Sequence, residues 1–330
     1  MEQAKEQTPT VGAEAAAELK MNEGLAALTG NRSSKRPSAW SVIRKQRLAF
    51  VGLIIILFFA LMAIFGPTIA PYSPTQQFAR QMLQPPLHTF TDPNTGEQVR
   101  FLLGSDEFGR DIFTRLLYGA RVSFQVGFVV VGLAGVVGTI LGLIAGYYRG
   151  WIDSSIVMAA DVIFAFPAIL LAIAFITMVG NNLRNTMIAI AIVYTPAFIR
   201  IVRGAVMSVR ELAYVEAAVS LGARSRRIIA RHVFPNITAP LIVHASLIFA
   251  AAVLSEAGLS FLGLGNKPPS PSWGSMVSSS YGYLQKAPWA AIVPGTAIAV
   301  IVLGFNLLGD GLRDALDPRL RSANSNGGKH

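Results

Sequence analysis

The segment YVEAAVSLGARSRRIIARHVFPN (residues 214–236) is a basic, helix-compatible stretch in a sequence that is otherwise strongly apolar. Seven arginines lie between residues 200 and 231, and long apolar runs flank the segment on both sides. Charged side chains are costly inside a bilayer. If the flanking runs cross a membrane, this segment therefore lies in water or at the membrane surface.

The residue order of this segment predicts two short helices joined by a tight turn. Arg210–Leu221 is rich in helix-forming residues, and Gly222 follows it where many helices end in a left-handed glycine. We expect Ser225 to cap a second helix over Arg226–Phe234, which Pro235 ends.

The first of these helices carries a small, smooth face formed by Ala217, Ala218 and Leu221, which suits a groove on another protein. The alternative is a pair of helices at the membrane surface, with arginines at anionic head groups. A nucleic-acid surface is disfavoured because no aromatic residues are interleaved with the arginines.

The composition indicates a membrane protein. Of 330 residues, 52% are hydrophobic and 14% are charged, and the mean hydropathy is +0.49; soluble domains are about 25% charged. The apolar runs lack the alternation of barrel strands, so we predict an all-α integral membrane protein with six transmembrane helices. The expected spans are Leu48–Ala70, Val122–Tyr147, Ile156–Val179, Thr186–Val206, Ala239–Leu259 and Pro288–Leu308.

The loop charges predict the orientation. With the N-terminus inside, 20 of the 28 lysines and arginines lie in cytoplasmic segments, as the positive-inside rule requires. Both termini and the arginine-rich segment are then cytoplasmic. The net charge of +10 is explained by these loops, so no nucleic-acid partner is expected.

The sequence lacks the residue patterns of metal sites and disulfides. There is no cysteine, and the four histidines form no ligand pair at helical spacing, so we expect no metal site. We expect no signal peptide, because the first apolar run starts only near Leu48. The polar tail 1–47 is expected to be largely disordered, with a short helix at Ala13–Leu28.

Glycine and proline mark the packing of the predicted spans. Gly138, Gly142 and Gly146 recur at every fourth position of the second span, so they share a helix face and predict close helix–helix contact. Pro167 and Pro196 predict kinks in the third and fourth spans.

The pattern Glu216-Ala217-Ala218-x-x-x-Gly222-Ala223, followed by His232-x-Phe234-Pro235, resembles the EAA loop of ATP-binding-cassette (ABC) importer permeases. His232 and Phe234 stand where that family has Ile and Leu. Four longer stretches resemble the C-type permease subunit of dipeptide/oligopeptide importers. They are LGSDEFGRDIFTRLLYGARVS (103–123), GWIDSSIVMAADVIFAFP (150–167), LSFLGLGNKPPSPSWG (259–274) and FNLLGDGLRDALDPRLR (305–321). The resemblance covers about residues 38–321, with Ser105 where the family has Thr.

The resemblance implies a type-1 ABC importer architecture. This chain would pair with a second, homologous permease subunit as a heterodimer, with two ABC ATPase subunits and an extracytoplasmic peptide-binding protein, in a bacterial inner membrane. The EAA loop would couple the pore to the ATPases. This chain would bind no cofactor, and ATP and Mg would bind to the partner ATPases. In agreement, the sequence has no phosphate-binding loop, since Gly327-Gly328-Lys329-His330 does not fit its pattern.

The apolar runs and the resemblance together predict five segments of the chain. They are a cytoplasmic tail (1–47), a first transmembrane helix (48–70), an extracytoplasmic loop with an amphipathic segment (71–118), an ABC transmembrane type-1 domain (119–309) that contains the coupling insert (207–236), and a cytoplasmic tail (310–330). Within the loop, the spacing of apolar residues in Asp106–Leu117 predicts a helix lying on the membrane. This loop would contact the binding protein or form a structural collar.

Asp161, His244 and Glu256 are candidate residues of the translocation pathway, because ionisable groups in apolar spans face an interior or a partner. The alternative for each is a hydrogen bond between helices or a place at the interface. An intramembrane protease is disfavoured, since Ser260 and His244 would lie roughly 24 Å apart on one helix.

Two further alternatives concern the transport class. Nickel and other small-solute permeases share these motifs, so the motifs leave the solute open. A passive channel or an ion-gradient transporter would have no use for a coupling insert.

Overall fold

The structure is a computed structural model that describes residues 46–93 and 95–316. All but the last two residues of the predicted tail 1–47 lie outside the described residues. The helix expected at Ala13–Leu28 and residues 317–330 of the predicted C-terminal tail also lie outside them.

The described part of the chain contains ten α-helices, a two-stranded sheet and two short turns of other helix types. In chain order the α-helices and strands are α1 (Arg47–Ile69), β1 (His88–Thr91), β2 (Gln98–Phe101), α2 (Ile112–Tyr148), α3 (Gly150–Phe164), α4 (Ala168–Val179), α5 (Leu183–Arg210), α6 (Ala213–Ser220), α7 (Ser225–Ile228), α8 (Phe234–Phe261), α9 (Trp273–Ser280) and α10 (Pro288–Leu316). A π-helical turn, Ile229–Val233, joins α7 to α8.

Five helical stretches are long and apolar enough to cross a membrane: α1, α2, α5, the stretch Ser225–Phe261 and α10. The pair α3 and α4 passes the same test together but is bent by 88° at its break. The described residues therefore hold five such spans, or six if the bent pair is one. The sequence predicted one kinked helix over Ile156–Val179. The break is sharper because Pro167 lacks an N–H and disfavours helical backbone at Phe166.

Helix α2 begins earlier than the predicted second span and replaces the predicted surface helix over Asp106–Leu117. The carboxylate of Asp111 accepts a hydrogen bond from the backbone N–H of Thr114 at 2.8 Å, and this cap starts α2 at Ile112. The surface helix is therefore wrong. Its second half forms the first turns of α2, and its first half is a turn closed by a hydrogen bond from Gly109 N–H to the carbonyl of Asp106.

The loop between α1 and α2 contains a small folded unit that the sequence did not predict. Strands β1 and β2 pair antiparallel, with His88 opposite Phe101. Val99 and Phe101 point inward, two residues apart as in any strand, and pack with Phe78 in a small apolar core.

A buried ion network fastens this small unit to the bundle. Asp106 accepts a hydrogen bond from Nε of Arg110 at 2.6 Å and lies 3.4 Å from Nε of Arg115. Nη1 of Arg115 donates to the carbonyl oxygens of Pro74 and Pro269, at 2.8 and 3.2 Å. Removing one partner of a buried ion pair is strongly destabilising. The network therefore holds the loops before α2 and after α8 against the start of α2.

The main apolar core lies where α1, α2, α8 and α10 meet. The rings of Phe249 and Phe305 stack with their centroids 3.9 Å apart. Trp273 is fully buried, and its Nε1 donates to the carbonyl of Leu116 at 3.0 Å. In contrast, α1 exposes many large apolar side chains on its outer surface, which is the surface expected of a helix that contacts lipid or another subunit.

The glycine stripe of α2 lies directly against α5. A methyl carbon on Gly142 would lie 2.8 Å from Cβ of Val202, and one on Gly146 would lie 2.8 Å from Cβ of Val206. These distances are well inside the optimal separation of two carbon atoms. The close helix packing predicted from the stripe is therefore confirmed.

The substitution Gly142→Ala is expected to destabilise the α2–α5 contact. Overpacking by the added methyl group costs about 1–3 kcal/mol, and the helix-propensity gain of about 1 kcal/mol offsets only part of it because several atoms lie within 3.0 Å of the added carbon. Gly132→Ala in the same helix is the control, because a carbon added there has no neighbour within 4 Å. Thermal unfolding of the purified variants measures the difference, and equal midpoints would contradict the tight contact.

Candidate functional site

The insert (residues 207–236) is built around the turn at Gly222. The φ angle of Gly222 is +75°, in the left-handed region. Its N–H donates to the carbonyl of Val219 at 2.9 Å, and the N–H of Ala223 donates to the carbonyl of Ala218 at 3.1 Å. These two bonds form a Schellman motif, which satisfies the last carbonyls of α6. The predicted helix end at Gly222 is confirmed.

The helix before this turn is shorter than predicted. The sequence predicted one helix over Arg210–Leu221, but α5 itself continues to Arg210 and α6 begins at Ala213. The chain turns between them, with a hydrogen bond from the N–H of Leu212 to the carbonyl of Val209. α6 is therefore separate from the membrane span.

The helix after the turn also differs from the prediction. Ser225 is the first residue of α7 and makes no capping hydrogen bond; Arg224 occupies the cap position. Pro235 does not end a helix, because it lies in the first turn of α8, where its missing N–H and fixed φ are tolerated. The π-helical turn carries the chain from α7 straight into α8, so the insert is continuous with the next span.

The buried side of the insert packs against the ends of α2 and α5. Val215 of α6 is completely buried, as is Val233 in the π-helical turn. Both belong to one apolar cluster, whose other buried members are Tyr147, Val202, Val206, Ile228 and Ile237. The insert is therefore anchored to the membrane helices rather than free to swing.

Polar contacts brace the same junction. Nη1 of Arg210 donates to the carbonyl of Tyr147 at 2.6 Å, which ties the end of α5 to the end of α2. Arg149 pairs with Glu211 at 2.8 Å. That ion pair is exposed, so its own contribution is small.

The opposite side of α6 is exposed and carries apolar side chains. Tyr214, Ala217 and Leu221 are exposed at helical spacing, and Leu221 is 87% exposed. The eight predicted coupling residues divide by burial: Glu216, Ala217, Gly222, Phe234 and Pro235 are exposed, whereas Ala218, Ala223 and His232 are half-buried. Phe234 and Pro235 belong to α8, which the predicted helix–turn–helix did not anticipate.

A second polar region joins α3 to α5 through two ion pairs. Asp153 and Arg203 form a two-pronged pair in which Nη2 donates to Oδ2 at 2.7 Å. Asp161 and Arg200 are joined by one hydrogen bond of 2.6 Å from Nη2 to Oδ1. The guanidinium of Arg200 also lies over the ring of Phe164, 4.3 Å from its centroid.

The three candidate pathway residues do not form one site. His244 is half-buried with its ring 4.8 Å from that of Phe198. Glu256 is completely buried, and its Oε1 accepts a hydrogen bond from Ser260 at 2.6 Å. His244 and Glu256 lie roughly 18 Å apart along α8. Asp161 is the candidate with a half-exposed carboxylate, and the pathway roles of all three residues stay predictions.

Sequence reasoning missed the partners of Asp161, although a signal was present. Arg200 and Arg203 are three residues apart at the end of the predicted fourth span, and Asp153 and Asp161 are about two helical turns apart. Two acids on one apolar helix and two arginines on another predict cross-helix pairing.

A bundle of apolar spans with an exposed helical insert in one loop fits a membrane transport subunit. The chain belongs to the family described as binding-protein-dependent transport system inner membrane component, which matches residues 138–322. The N-terminal transmembrane domain of oligopeptide transport permease C matches residues 37–86. The resemblance drawn from the motifs is confirmed, and the chain is a multi-pass component of the inner membrane.

The relatives are named as peptide transport proteins. The dipeptide transport system permease protein DppC of Alkalihalophilus pseudofirmus is 49% identical over 284 residues, covering 86% of this chain and 90% of that protein. The di/tripeptide permease DppC of Pseudomonas aeruginosa is 43% identical, covering 86% and 92%. The glutathione permease GsiD of Pectobacterium atrosepticum is 41% identical, covering 86% and 91%. All three are transport permeases rather than enzymes.

The fold is similar to that of a solved importer. An inward-facing structure of the MetNI methionine ABC transporter matches with a TM-score of 0.51 at 18% identity, covering 62% of this chain and 97% of that chain. This similarity confirms the predicted type-1 fold.

The substitution Gly222→Ala is expected to loosen the insert. A left-handed alanine costs about 1–2 kcal/mol, so α6 should open more often and exchange its amide hydrogens several-fold faster. Gly204→Ala in α5 is the control, because that glycine has an ordinary φ and no neighbour within 4 Å of the added carbon. Hydrogen–deuterium exchange measures this effect, and unchanged protection of α6 would contradict it.

Proposed function

We propose that this chain is one membrane subunit of an ATP-driven importer that carries dipeptides and other short peptides into the cell. The relatives named for dipeptides, di- and tripeptides and glutathione support this substrate class. They favour peptides over nickel or another small solute. The similarity extends over 86% of this chain in each case.

In the proposed assembly, this chain forms a heterodimer with a second, homologous permease. An extracytoplasmic binding protein delivers the peptide, and two ATPase subunits bind ATP and Mg on the cytoplasmic side. Both termini and the insert face the cytoplasm, as the distribution of lysine and arginine supports. The lack of a phosphate-binding loop in this sequence supports the placement of ATP on the partner subunits.

The observation that carries the coupling role is the exposed apolar row of α6 on a rigid base. Tyr214, Ala217 and Leu221 face outward, while Val215 on the opposite side is completely buried. A short helix with small and apolar residues on one face suits a groove on a partner protein. Since its buried side packs on α2 and α5, movement of the partner is passed to the membrane helices.

The proposed function is tested by uptake of Ala-Ala into proteoliposomes that contain all subunits. Uptake should require ATP and the binding protein, and should stop when ATP is depleted while ion gradients are clamped. Uptake that continues under those conditions would indicate a channel or an ion-gradient transporter.

The variant Leu221→Asn is expected to weaken docking of the ATPases about tenfold, as loss of a central apolar contact does. Peptide uptake should fall with it. Met178→Asn is the matched control, because Met178 is 86% exposed but lies at the other end of the bundle, at the end of α4. Retention of the ATPases on the purified membrane subunits measures docking, and equal retention by both variants would exclude the docking role of α6.

A further inference from the structure

An open cleft of about 540 Å³ runs along α3, and its lining includes two acidic residues and one arginine. Asp153 and Asp161 line it from α3, and Arg203 lines it from α5. Arg200 adjoins it through its ion pair with Asp161. The remaining lining residues are small or apolar: Ser154, Val157, Met158, Val162 and Ala165.

The two ion pairs of this cleft differ in burial and geometry. The Asp153 side chain is 14% exposed and shares two hydrogen bonds with Arg203, which is the arrangement of a structural brace. The side chains of Asp161 and Arg200 are 51% and 54% exposed. Among the described residues, a single side-chain hydrogen bond joins them. Both side chains are therefore half-exposed, Asp161 in the lining of the cleft and Arg200 beside it.

Charge exposed to this extent cannot face lipid hydrocarbon without a large cost. The open side of Asp161 and Arg200 therefore faces water or a partner subunit rather than lipid, and in the proposed heterodimer both are surroundings of the translocation pathway. The ring of Phe164 under Arg200 restrains the guanidinium plane by a cation–π contact. An arginine fixed in this way presents paired N–H donors, the geometry that fits a carboxylate.

We infer that Asp161 and Arg200 form a reception site for the two charged ends of a short peptide. The inference rests on the proposed function. The peptide ammonium group pairs with Asp161, and the terminal carboxylate pairs with Arg200. In the empty pathway, Asp161 and Arg200 pair with each other. When a peptide is bound, each side chain pairs with one end of the peptide instead. Neither charge is therefore left without a counter-charge in either state.

The test measures peptide binding to the transporter complex in nanodiscs without the binding protein, so that the binding protein's own selectivity does not enter. This chain has no native cysteine, and Met158 lines the cleft and is 67% exposed. A Met158→Cys variant reports occupancy through protection from a charged methanethiosulfonate reagent. The probes are Ala-Ala, N-acetyl-Ala-Ala and Ala-Ala-amide.

Ala-Ala is expected to protect Met158→Cys, with each blocked peptide needed at about tenfold higher concentration because one charge-assisted bond is lost. Adding Asp161→Asn should remove the preference for Ala-Ala over N-acetyl-Ala-Ala and keep the preference over Ala-Ala-amide. Adding Arg200→Gln should do the reverse. A purely structural ion pair would not produce this crossed pattern, since its loss affects all three peptides alike.

Two control variants test whether protection and peptide preference are specific to the cleft. Met82→Cys in the loop between α1 and α2, where Met82 is 58% exposed, should react with the reagent and show no protection by Ala-Ala. Arg184→Gln removes an exposed arginine from the same helix outside the cleft and should leave the peptide ranking unchanged. If one cleft variant fails to assemble, the other still tests half of the crossed pattern.

The inference is overturned if protection is independent of the peptide termini, or if both variants weaken all three peptides equally. It is also overturned if Ala-Ala gives no protection in a complex that still imports Ala-Ala. A complex with all its partners that imports no peptide would instead overturn the proposed function.

Discussion

A charge inside an apolar bundle must be paired or must reach water. This constraint decides which loops and helices of the protein are held together by ion pairs. At one end of the bundle, Asp106 pairs with Arg110 and Arg115 in a buried network. Along α3, acidic groups meet arginines of α5. At the other end, the remaining arginines of the insert are exposed. Glu256 in the span α8 is a further case, because it is completely buried and hydrogen-bonded to Ser260.

The second organising contact is the close approach of α2 and α5, which the glycine stripe permits. The insert is anchored to the ends of the same two helices through Tyr147, Val202 and Val206. α5 also carries Arg200 and Arg203, which hold α3. In the proposed function, a displacement of α6 therefore moves α2 and α5 together, and α5 carries the arginines of the charged cleft. A flexible tether at this place would not pass on such movement.

The sequence predicted the family more reliably than the ends of individual helices. The apolar runs located the spans, and the motifs around Glu216 and Gly222 identified the family. Local capping rules were less reliable. Ser225 does not cap, Pro235 starts a span rather than ending a helix, and α2 absorbs a predicted surface helix. In each case the neighbouring span extends into the loop, because packing against other helices outweighs the weak local preference of one residue.

By itself, the sequence determined the membrane class, the number and place of the apolar runs, the glycine contact and the left-handed turn at Gly222. These follow from composition, helical spacing and the steric freedom of one residue type, all of which are local properties. Only the tertiary structure decided the 88° break between α3 and α4. It also decided the complete burial of Glu256 and the pairing of Asp161 with Arg200, which are 39 residues apart in the sequence. Those features depend on which helices become neighbours, and neighbours distant in sequence are chosen by the packing of the whole bundle.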